Sequence, residues 1–186
     1  YGTMRRMYAY LMRQRHIDRE VISYFVHEKL LYEDKHHNCV FVGVDGSGEA
    51  KHAHIRSTNS EGRVFRMNIE SSASEHCFHK NGTDKSLYVF EAPIDLMSYL
   101  TLHREPINAV ALCGLYDGAL ETYLKDNPSI KRITLCLDAD APGRAAAQQL
   151  KDKYSASGYA VTVEEPRSGK DWNEYLQKRN TPERGR

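Results

Sequence analysis

Two aspartates, Asp138 and Asp140, lie one residue apart directly after the apolar run of residues 133–137. Because side chains alternate along an extended strand, both carboxylates can point the same way, and at about 4 Å they would repel by several kcal/mol. The N–H groups at the start of the following helix offset part of that repulsion, and a divalent cation would offset more. Carboxylate ligands favour Mg²⁺ or Mn²⁺ over Zn²⁺, and Mg²⁺ usually joins protein carboxylates to substrate phosphates.

A third acid, Glu91, follows another apolar run, residues 87–90. As a carboxylate it could bind metal, and with a raised pKa it could move a proton. The alternative without metal is that Asp138 caps a turn and Asp140 caps a helix, because Asp is common at both positions. The spacing of the acids leaves both interpretations open.

The second half of the chain alternates between strand and helix patterns. The predicted strands are residues 87–90, 109–113, 133–137 and 159–163, and the predicted helices are 94–103, 118–125 and 142–154. Short connections between them favour a parallel sheet covered by helices on both faces. In such sheets ligands sit at the carboxyl ends of the strands, which is where Glu91 and Asp138 lie.

The first half of the chain has a different order of predicted helices and strands. Its predicted elements are a helix over residues 4–14, a second helix capped by Asp18, and strands over residues 39–44, 51–56 and 63–68. Residues 70–86 are polar and predicted to be irregular. We therefore predict a helical plus antiparallel-strand subdomain over 1–84, an α/β domain over 85–177 and a tail over 178–186.

Composition limits the class of protein without identifying it. The formal net charge of +1 gives no global attraction to nucleic acid, so any such binding must use local patches. No apolar run approaches the roughly 20 residues of a membrane span, so we expect no membrane partner. Four scattered cysteines without a CxxC pair argue against a structural zinc site or a disulfide framework and favour a reducing cytoplasm. They are Cys39, Cys77, Cys113 and Cys136.

Histidines and aromatic residues give weaker signals. His36, His37, His52 and His54 have no Cys or carboxylate partner at ligand spacing, so we predict exposed turn and strand histidines. Trp172 and Tyr175 could stack on bases, but packing of a short closing helix is the favoured interpretation. An Arg-rich first helix could face phosphates or simply solvent. Its arginines are Arg5, Arg6, Arg13 and Arg15.

The acids and their surroundings resemble a known family. Glu91 after a strand, Gly114 in a turn after the next strand, and then Asp138-x-Asp140-x-x-Gly143 resemble the topoisomerase–primase (Toprim) pattern. The resemblance implies a four-stranded parallel sheet between helices. It also implies that Asp138 and Asp140 hold Mg²⁺ (or Mn²⁺), while Glu91 acts in acid–base chemistry or joins the metal site.

Over about residues 30–177 the chain further resembles the catalytic core of bacterial DNA primase. The segments that carry this resemblance include NCVFVGVDGSGEAKHAHIRS, FHKNGTDKSLY, INAVALCG and GKDWNEYL. LLYED and VFEAPIDLMSYL resemble primase-like Toprim proteins of plasmids and conjugative elements. One departure is Ala92-Pro93, where primases usually have Gly and an aromatic residue, so the geometry around Glu91 can differ.

The primase resemblance implies Mg-dependent nucleotidyl transfer, RNA primer synthesis on single-stranded DNA, in plasmid or mobile-element replication or transfer. The implied partners are a single-stranded DNA template, nucleoside triphosphates and a helicase or relaxase of the host element. Carried over position by position, Arg56, Lys80 and Lys170 would contact phosphates, and Asn38 lies at a matching Asn. Asp171 could support a second metal. For each Arg or Lys, a solvated surface charge remains the alternative.

Two other functions are compatible with the same resemblance. A Toprim nuclease would cleave DNA with the same metal site and ignore ribonucleotides. A non-catalytic DNA-binding or assembly module would bind DNA without metal. The grouping of Glu91, Asp138 and Asp140 speaks mildly against the latter, because a purely structural domain has no need of three acids together.

Overall fold

The structure, a computed structural model, describes residues 3–59, 64–70 and 72–181. Its helices are α1 (Arg5–Ala9), continued by a π-helical turn (Tyr10–Gln14), α2 (Arg19–His27), α3 (Pro93–Leu102), α4 (Gly118–Asp126), α5 (Ala141–Ala156) and α6 (Trp172–Asn180), with a 3₁₀ turn at Ser74–His76. Its strands are β1 (Leu31–Glu33), β2 (Cys39–Val44), β3 (Ala50–Arg56), β4 (Arg66–Asn68), β5 (His79–Lys80), β6 (Ser86–Phe90), β7 (Asn108–Ala111), β8 (Arg132–Cys136) and β9 (Ala160–Val163).

The first sheet is antiparallel, with strand order β1-β2-β3-β4. The predicted strand over residues 39–44 is β2, and its side chains are buried almost throughout. The 3₁₀ turn lies directly on β2, because a Cβ built at Gly43 would come within 1.6 Å of the His76 carbonyl oxygen. Only glycine allows the two backbones to approach this closely. Residue 63 of the predicted strand over residues 63–68 and most of the predicted tail fall outside the described residues.

The second sheet has strand order β5-β7-β6-β8-β9. Strands β7, β6, β8 and β9 are parallel, so the predicted four-stranded parallel sheet between helices is confirmed. The expectation that residues 70–86 are irregular is wrong at β5, which pairs antiparallel with β7. Two residues are too short to show a strand period, so only the edge of β7 identifies β5 as a strand. This strand precedes the predicted boundary at residue 85.

Two hydrophobic clusters hold the fold together. One lies between the second sheet and helices α4 and α5, and includes Leu87, Val89, Leu120, Ile133 and Leu135. The other joins both halves of the chain, since Phe41 and Phe78 pack in the same cluster as Phe90 and Trp172. Trp172 is 2% exposed and its indole N–H donates to the Cys136 carbonyl oxygen at 3.1 Å, so its predicted packing role is confirmed.

No helix among the described residues is both long enough and apolar enough to cross a membrane.

Candidate active site

Neighbouring parallel strands deliver the acids to one edge of the second sheet. Strands β6 and β8 pair in register, with Phe90 opposite Cys136. Glu91 follows the first strand directly, and Asp138 follows the second after Leu137. Asp138 is buried, while Glu91 and Asp140 are partly exposed. Strand register therefore brings Glu91 and Asp138 to the same edge of the sheet, and Asp140 follows in the turn after β8.

Asp140 begins helix α5. Its side chain accepts the N–H of Gly143 at 2.9 Å, which is the usual bond of a helix N-cap. A Cβ on Gly143 would lie 2.1 Å from the Asp138 carbonyl oxygen, so the glycine keeps the first helical turn close to both acids. The capping interpretation thus holds for Asp140, which leaves its second carboxylate oxygen free of the cap.

Lys170 lies beside the two aspartates. Its Nζ is 3.8 Å from Asp138 Oδ2 and 4.0 Å from Asp140 Oδ2, and its side chain is 54% exposed. The backbone holds it there, because the Lys170 carbonyl oxygen accepts the N–H of Ala139 at 2.6 Å. These distances exceed those of charge-assisted hydrogen bonds, so an exposed ammonium offsets only part of the repulsion.

Burial and mutual repulsion perturb the acids. Burial raises the pKa of Asp138 to about 7, and the charges of Glu91 and Asp171 add to the effect. Burial also raises the pKa of Glu91, with a contribution from Asp140. Glu91 Oε2 is buried without a hydrogen-bond partner among the described residues. A buried acceptor without a donor, close to like charges, is what a divalent cation would satisfy.

A fourth acid, Asp95, was missed by the sequence analysis. It is 6% exposed in the first turn of α3, and its Oδ1 accepts the N–H of Asn173 at 3.1 Å. Burial raises its pKa well above the usual value, and the charges of Asp171 and Asp138 act in the same direction. Its only sequence signal was its position four residues after Glu91. Acids are common in first helical turns, so that signal looked ordinary.

A cleft of about 380 Å³ lies between the two halves of the chain. Its acidic lining residues are Asp95, Asp138 and Asp171. Basic side chains and one aromatic ring complete it, namely Arg15, Arg56, Arg66, Lys170 and Phe65. Acidic and basic side chains in one cleft are suited to a metal-bound phosphate, whose oxygens can contact both the metal and the basic groups.

Tyr10 positions two of the arginines. Its hydroxyl oxygen accepts the Nε–H of Arg15 and the Nε–H of Arg56, each at 2.8 Å. Arg15 also donates to Asn173 Oδ1 at 3.3 Å, which ties it to α6. Tyr10 belongs to the π-helical turn, a local departure from α-helix that often occurs at functional sites.

The predicted site residues are only partly brought together. Arg56, Lys170 and Asp171 line the cleft, and Asp171 also caps α6 by accepting the Glu174 N–H at 2.8 Å. Lys80 lines another groove, with its Nζ 5.3 Å from the centre of the Tyr24 ring. Asn38 lies in the β1–β2 turn, where its Nδ2 donates to Asp34 Oδ2 at 3.0 Å.

The arginines of the Arg-rich first helix do not all line the same cleft. Arg15 lines the acidic cleft, whereas Arg6 and Arg13 line a separate groove. Arg66 and Phe65 were not singled out from the sequence, because nothing local distinguishes them from an ordinary strand edge. Only the packing of the two halves places them opposite the acids.

The histidine and cysteine predictions need correction. His36 and His37 are exposed as predicted, but His52 and His54 are buried at 3% and 6% exposure. No cysteine lies at ligand spacing from His52 in the sequence, as predicted, but folding brings Cys77 and Cys113 beside it. Both come from segments far away along the chain, so spacing in the sequence could not reveal them.

Comparison with known proteins supports the resemblance. Residues 88–176 match the family model described as Toprim-like, and residues 9–94 match one described as a protein of unknown function (DUF3991). The predicted Toprim resemblance is therefore confirmed. Uncharacterized protein pXO2-78 of Bacillus anthracis is 25% identical over 190 residues, covering 89% of this chain. The chain spans 55% of that relative's length.

Solved structures show the same fold. The primase fragment of the bacteriophage T7 primase-helicase protein is similar with a TM-score of 0.61 and 18% identity, covering 89% of this chain and 67% of that one. A DnaG primase catalytic domain bound to ssDNA is similar with a TM-score of 0.62 and 16% identity, covering 96% of this chain and 71% of that one. The chain therefore has a primase-like fold with a Toprim-like domain.

Proposed function

We propose, taking the Toprim-like domain as the premise, that this chain carries out metal-dependent nucleotidyl transfer of the primase type. The reaction would join ribonucleotides into a primer on single-stranded DNA during replication or transfer of a plasmid or other mobile element. The observation that carries the proposal is Glu91 Oε2, which is buried without a hydrogen-bond partner among the described residues. It lies at the same sheet edge as Asp138, which lines a cleft together with basic side chains. Neither helix capping nor simple solvation explains that arrangement.

The acids suit Mg²⁺ or Mn²⁺. Glu91, Asp138 and Asp140 would hold the first ion, and Asp171 would support a second. When bound, such an ion neutralises charge on phosphate oxygens as a Lewis acid and orients the reacting groups. In the alternative role that the resemblance implies, Glu91 would accept the proton of a primer 3′-hydroxyl, and burial raises its pKa in the direction that this role needs.

The basic side chains that line the cleft would bind the triphosphate and the template. Arg56 and Lys170 were predicted to contact phosphates, and Arg15 and Arg66 join them in the same cleft. Guanidinium groups bind phosphate oxygens through two parallel hydrogen bonds, and the shared Tyr10 hydroxyl restricts the orientation of Arg15 and Arg56 in advance. Phe65 could stack on a base at the same place.

Partners follow from the reaction. A single-stranded DNA template and nucleoside triphosphates are required by it, and a helicase or relaxase of the host element would supply the single strand. The names of two similar structures support this choice, since one is a primase-helicase fragment and the other is bound to ssDNA.

The test is a primer-synthesis assay with the chain, single-stranded DNA, labelled ribonucleotides and Mg²⁺ or Mn²⁺. We expect labelled oligoribonucleotides that require the metal, and a loss of at least about a hundredfold in Asp138→Asn and Glu91→Gln, in line with lost metal and charge stabilisation. Asp152→Asn is the matched control, because Asp152 is exposed on α5, the helix that Asp140 caps. It should keep full activity.

The same assay mixtures also distinguish the rival functions. Degradation of the DNA without incorporation of ribonucleotides would replace the primase proposal with a nuclease. DNA binding that needs no metal and survives Glu91→Gln combined with Asp138→Asn, with no product of either kind, would indicate a non-catalytic module.

A further inference from the structure

His52, Cys77 and Cys113 form a second cluster that the proposed reaction does not use. One potential ligand atom from each residue lies within 4.8 Å of the others. The three residues come from separate places in the fold. His52 is on β3, Cys77 lies between the 3₁₀ turn and β5, and Cys113 follows β7. His52 and Cys77 are 3% and 1% exposed, and Cys113 is partly buried.

His52 is the residue that simple packing does not explain. Both ring nitrogens are buried, and neither has a hydrogen-bond partner among the described residues. Leaving such a polar group unpaired costs about 1–3 kcal/mol. His54, two residues along the same strand, is equally buried, but its Nδ1 is 2.8 Å from Asn68 Oδ1. The fold therefore provides a partner for one histidine of β3, while the other faces two sulfur atoms.

The sulfur atoms are also arranged as a pair. Cys77 and Cys113 come from different segments, and their Sγ atoms lie within 4.8 Å of each other and of a His52 ring nitrogen. The thiolate is the form of cysteine that binds metal. Cys113 has a φ of 54°, in the left-handed region that residues other than glycine seldom adopt. Something must hold it in that conformation, and the bond to a metal would do so.

We propose that His52, Cys77 and Cys113 bind a zinc ion in tetrahedral geometry, with the fourth position taken by water or another donor. Zinc bonds of about 2.3 Å to sulfur and about 2.0–2.1 Å to nitrogen place ligand atoms about 3.5–3.8 Å apart, so ligand atoms within 4.8 Å of one another need to close by about 1 Å at most. One nitrogen and two sulfur ligands select zinc and disfavour Mg²⁺. The carboxylate cluster and this cluster would thus hold different metals.

The position of the cluster indicates a structural role. The ion would join β3 of the first sheet to the end of β7 in the second, across the two halves of the chain. The residue after Cys113 supports the acid cluster, because the Gly114 N–H donates to the Glu91 carbonyl oxygen at 3.1 Å. Zinc at this place would fix the turn that supports Glu91 without touching the reacting groups.

A disulfide between Cys77 and Cys113 is the main rival. It would join the same two segments, but it would leave both nitrogens of His52 unpartnered. Zinc binding would use both sulfur atoms and one of the two His52 nitrogens at once, which is why we favour it.

The first measurement uses the unaltered chain, purified under reducing conditions without chelator. We expect about one zinc per chain by elemental analysis, from the single cluster. After removal of zinc, titration with Co²⁺ in excess Mg²⁺ should produce a sulfur-to-cobalt charge-transfer band and the visible bands of tetrahedral cobalt. The Mg²⁺ occupies the carboxylates, so the band reports only thiolate ligation. A chain that carries no zinc and develops no such band would overturn the proposal.

Variants identify the ligands. Cys77→Ser, Cys113→Ser and His52→Asn should each weaken cobalt binding by at least about tenfold, consistent with loss of a ligand or its support. Cys39→Ser and His54→Asn are the matched controls, one a buried cysteine outside the cluster and the other the partnered histidine, and both should keep the band. An unchanged cobalt affinity in Cys113→Ser, or an intact mass two hydrogens lighter in the unaltered chain, would contradict zinc ligation, the latter in favour of a disulfide.

Discussion

Asp138 and Asp140 show how similar residues acquire different roles. Asp140 is partly exposed, and one of its carboxylate oxygens accepts the Gly143 N–H, whereas Asp138 is buried among other acids. Burial raises the pKa of Asp138 to about 7, because few donors compensate for the water it has lost. The buried acid therefore gains most from a bound cation, and the capping acid holds the helix that positions it.

Asp95 gives a residue-level prediction. Asp95→Leu should lower the free energy of unfolding by about 1–3 kcal/mol, because the Asn173 N–H loses its acceptor in a buried place. Asp95→Asn keeps an acceptor, so its stability should stay close to that of the unaltered chain. It should still bind Mn²⁺ about tenfold more weakly, equal to about 1.4 kcal/mol, because the amide removes an ionisable group from the cleft that Asp138 and Asp171 also line.

Chemical denaturation and a Mn²⁺ titration measure the two effects separately. Asp152→Leu on the exposed face of α5 is the control for the change in side-chain type. Equal destabilisation by Asp95→Asn and Asp95→Leu would show that the charge, and not the hydrogen bond, matters for folding.

The strand–turn–helix unit from β8 to α5 is the element that makes the acid site. Pro142 in the first helical turn, the Asp140 cap and the close approach at Gly143 together determine where α5 begins. Each residue has an ordinary local reason to be there. The consequence reaches beyond the element, because the same backbone turn directs Asp138 towards Glu91.

Gly143→Ala tests this element. The added Cβ would meet the Asp138 carbonyl oxygen at 2.1 Å, so the backbone must move. We expect a loss of about 1–3 kcal/mol in the free energy of unfolding, typical of overpacking, together with weaker Mn²⁺ binding. Gly46→Ala is the matched control, because nothing lies within 4 Å of a Cβ there, and it should change stability by less than about 0.5 kcal/mol.

The β1–β2 turn gives a pH-dependent prediction. Although partial burial acts in the opposite direction, N–H groups of Asn38 and His36 hold the pKa of Asp34 below its usual value. A carboxyl group with a lowered pKa stabilises the fold above its unfolded-state pKa, about 3.9, and this contribution is lost as the pH falls through the folded-state value. Asp34→Asn should therefore cost about 1 kcal/mol at neutral pH, and the difference should shrink below about pH 4.

Urea denaturation at neutral and acidic pH measures that difference, with Asp152→Asn as the control. An equal cost at both pH values would mean that the turn depends on the shape of Asp34 rather than on its charge. The same result would bear on Asn38, whose side chain is engaged by Asp34 and not by the cleft.

At the scale of the whole molecule, the cleft exists because two sheets and their helices pack into one core. Arg15 directly follows the π-helical turn, Arg56 comes from β3, Arg66 from β4 and Lys170 from the segment before α6. The formal net charge of +1 conceals this local concentration. A nearly neutral protein can still bind a polyanion where folding brings several basic side chains into one cleft.

The salt dependence of DNA binding tests the role of the basic side chains in the cleft. Binding of single-stranded DNA should weaken with salt, with a logarithmic slope of about 0.7 for each phosphate neutralised. Arg66→Ala should therefore reduce the magnitude of the slope by about 0.7 and leave stability almost unchanged, because Arg66 is exposed. Lys125→Ala, an exposed cation on α4, is the control and should leave the slope unaltered. An equal reduction in both variants would indicate a diffuse contact with the surface.

The sequence by itself determined the alternating strands and helices of the second half, because apolar periodicity and helix caps are local signals. It also determined the meeting of Glu91 with Asp138, because parallel strands in register bring their carboxyl ends to one edge. Tertiary structure alone decided the rest. Asp95, Arg66 and the pairing of His52 with two distant cysteines depend on packing between segments far apart in the chain, and no local pattern records which surfaces will meet.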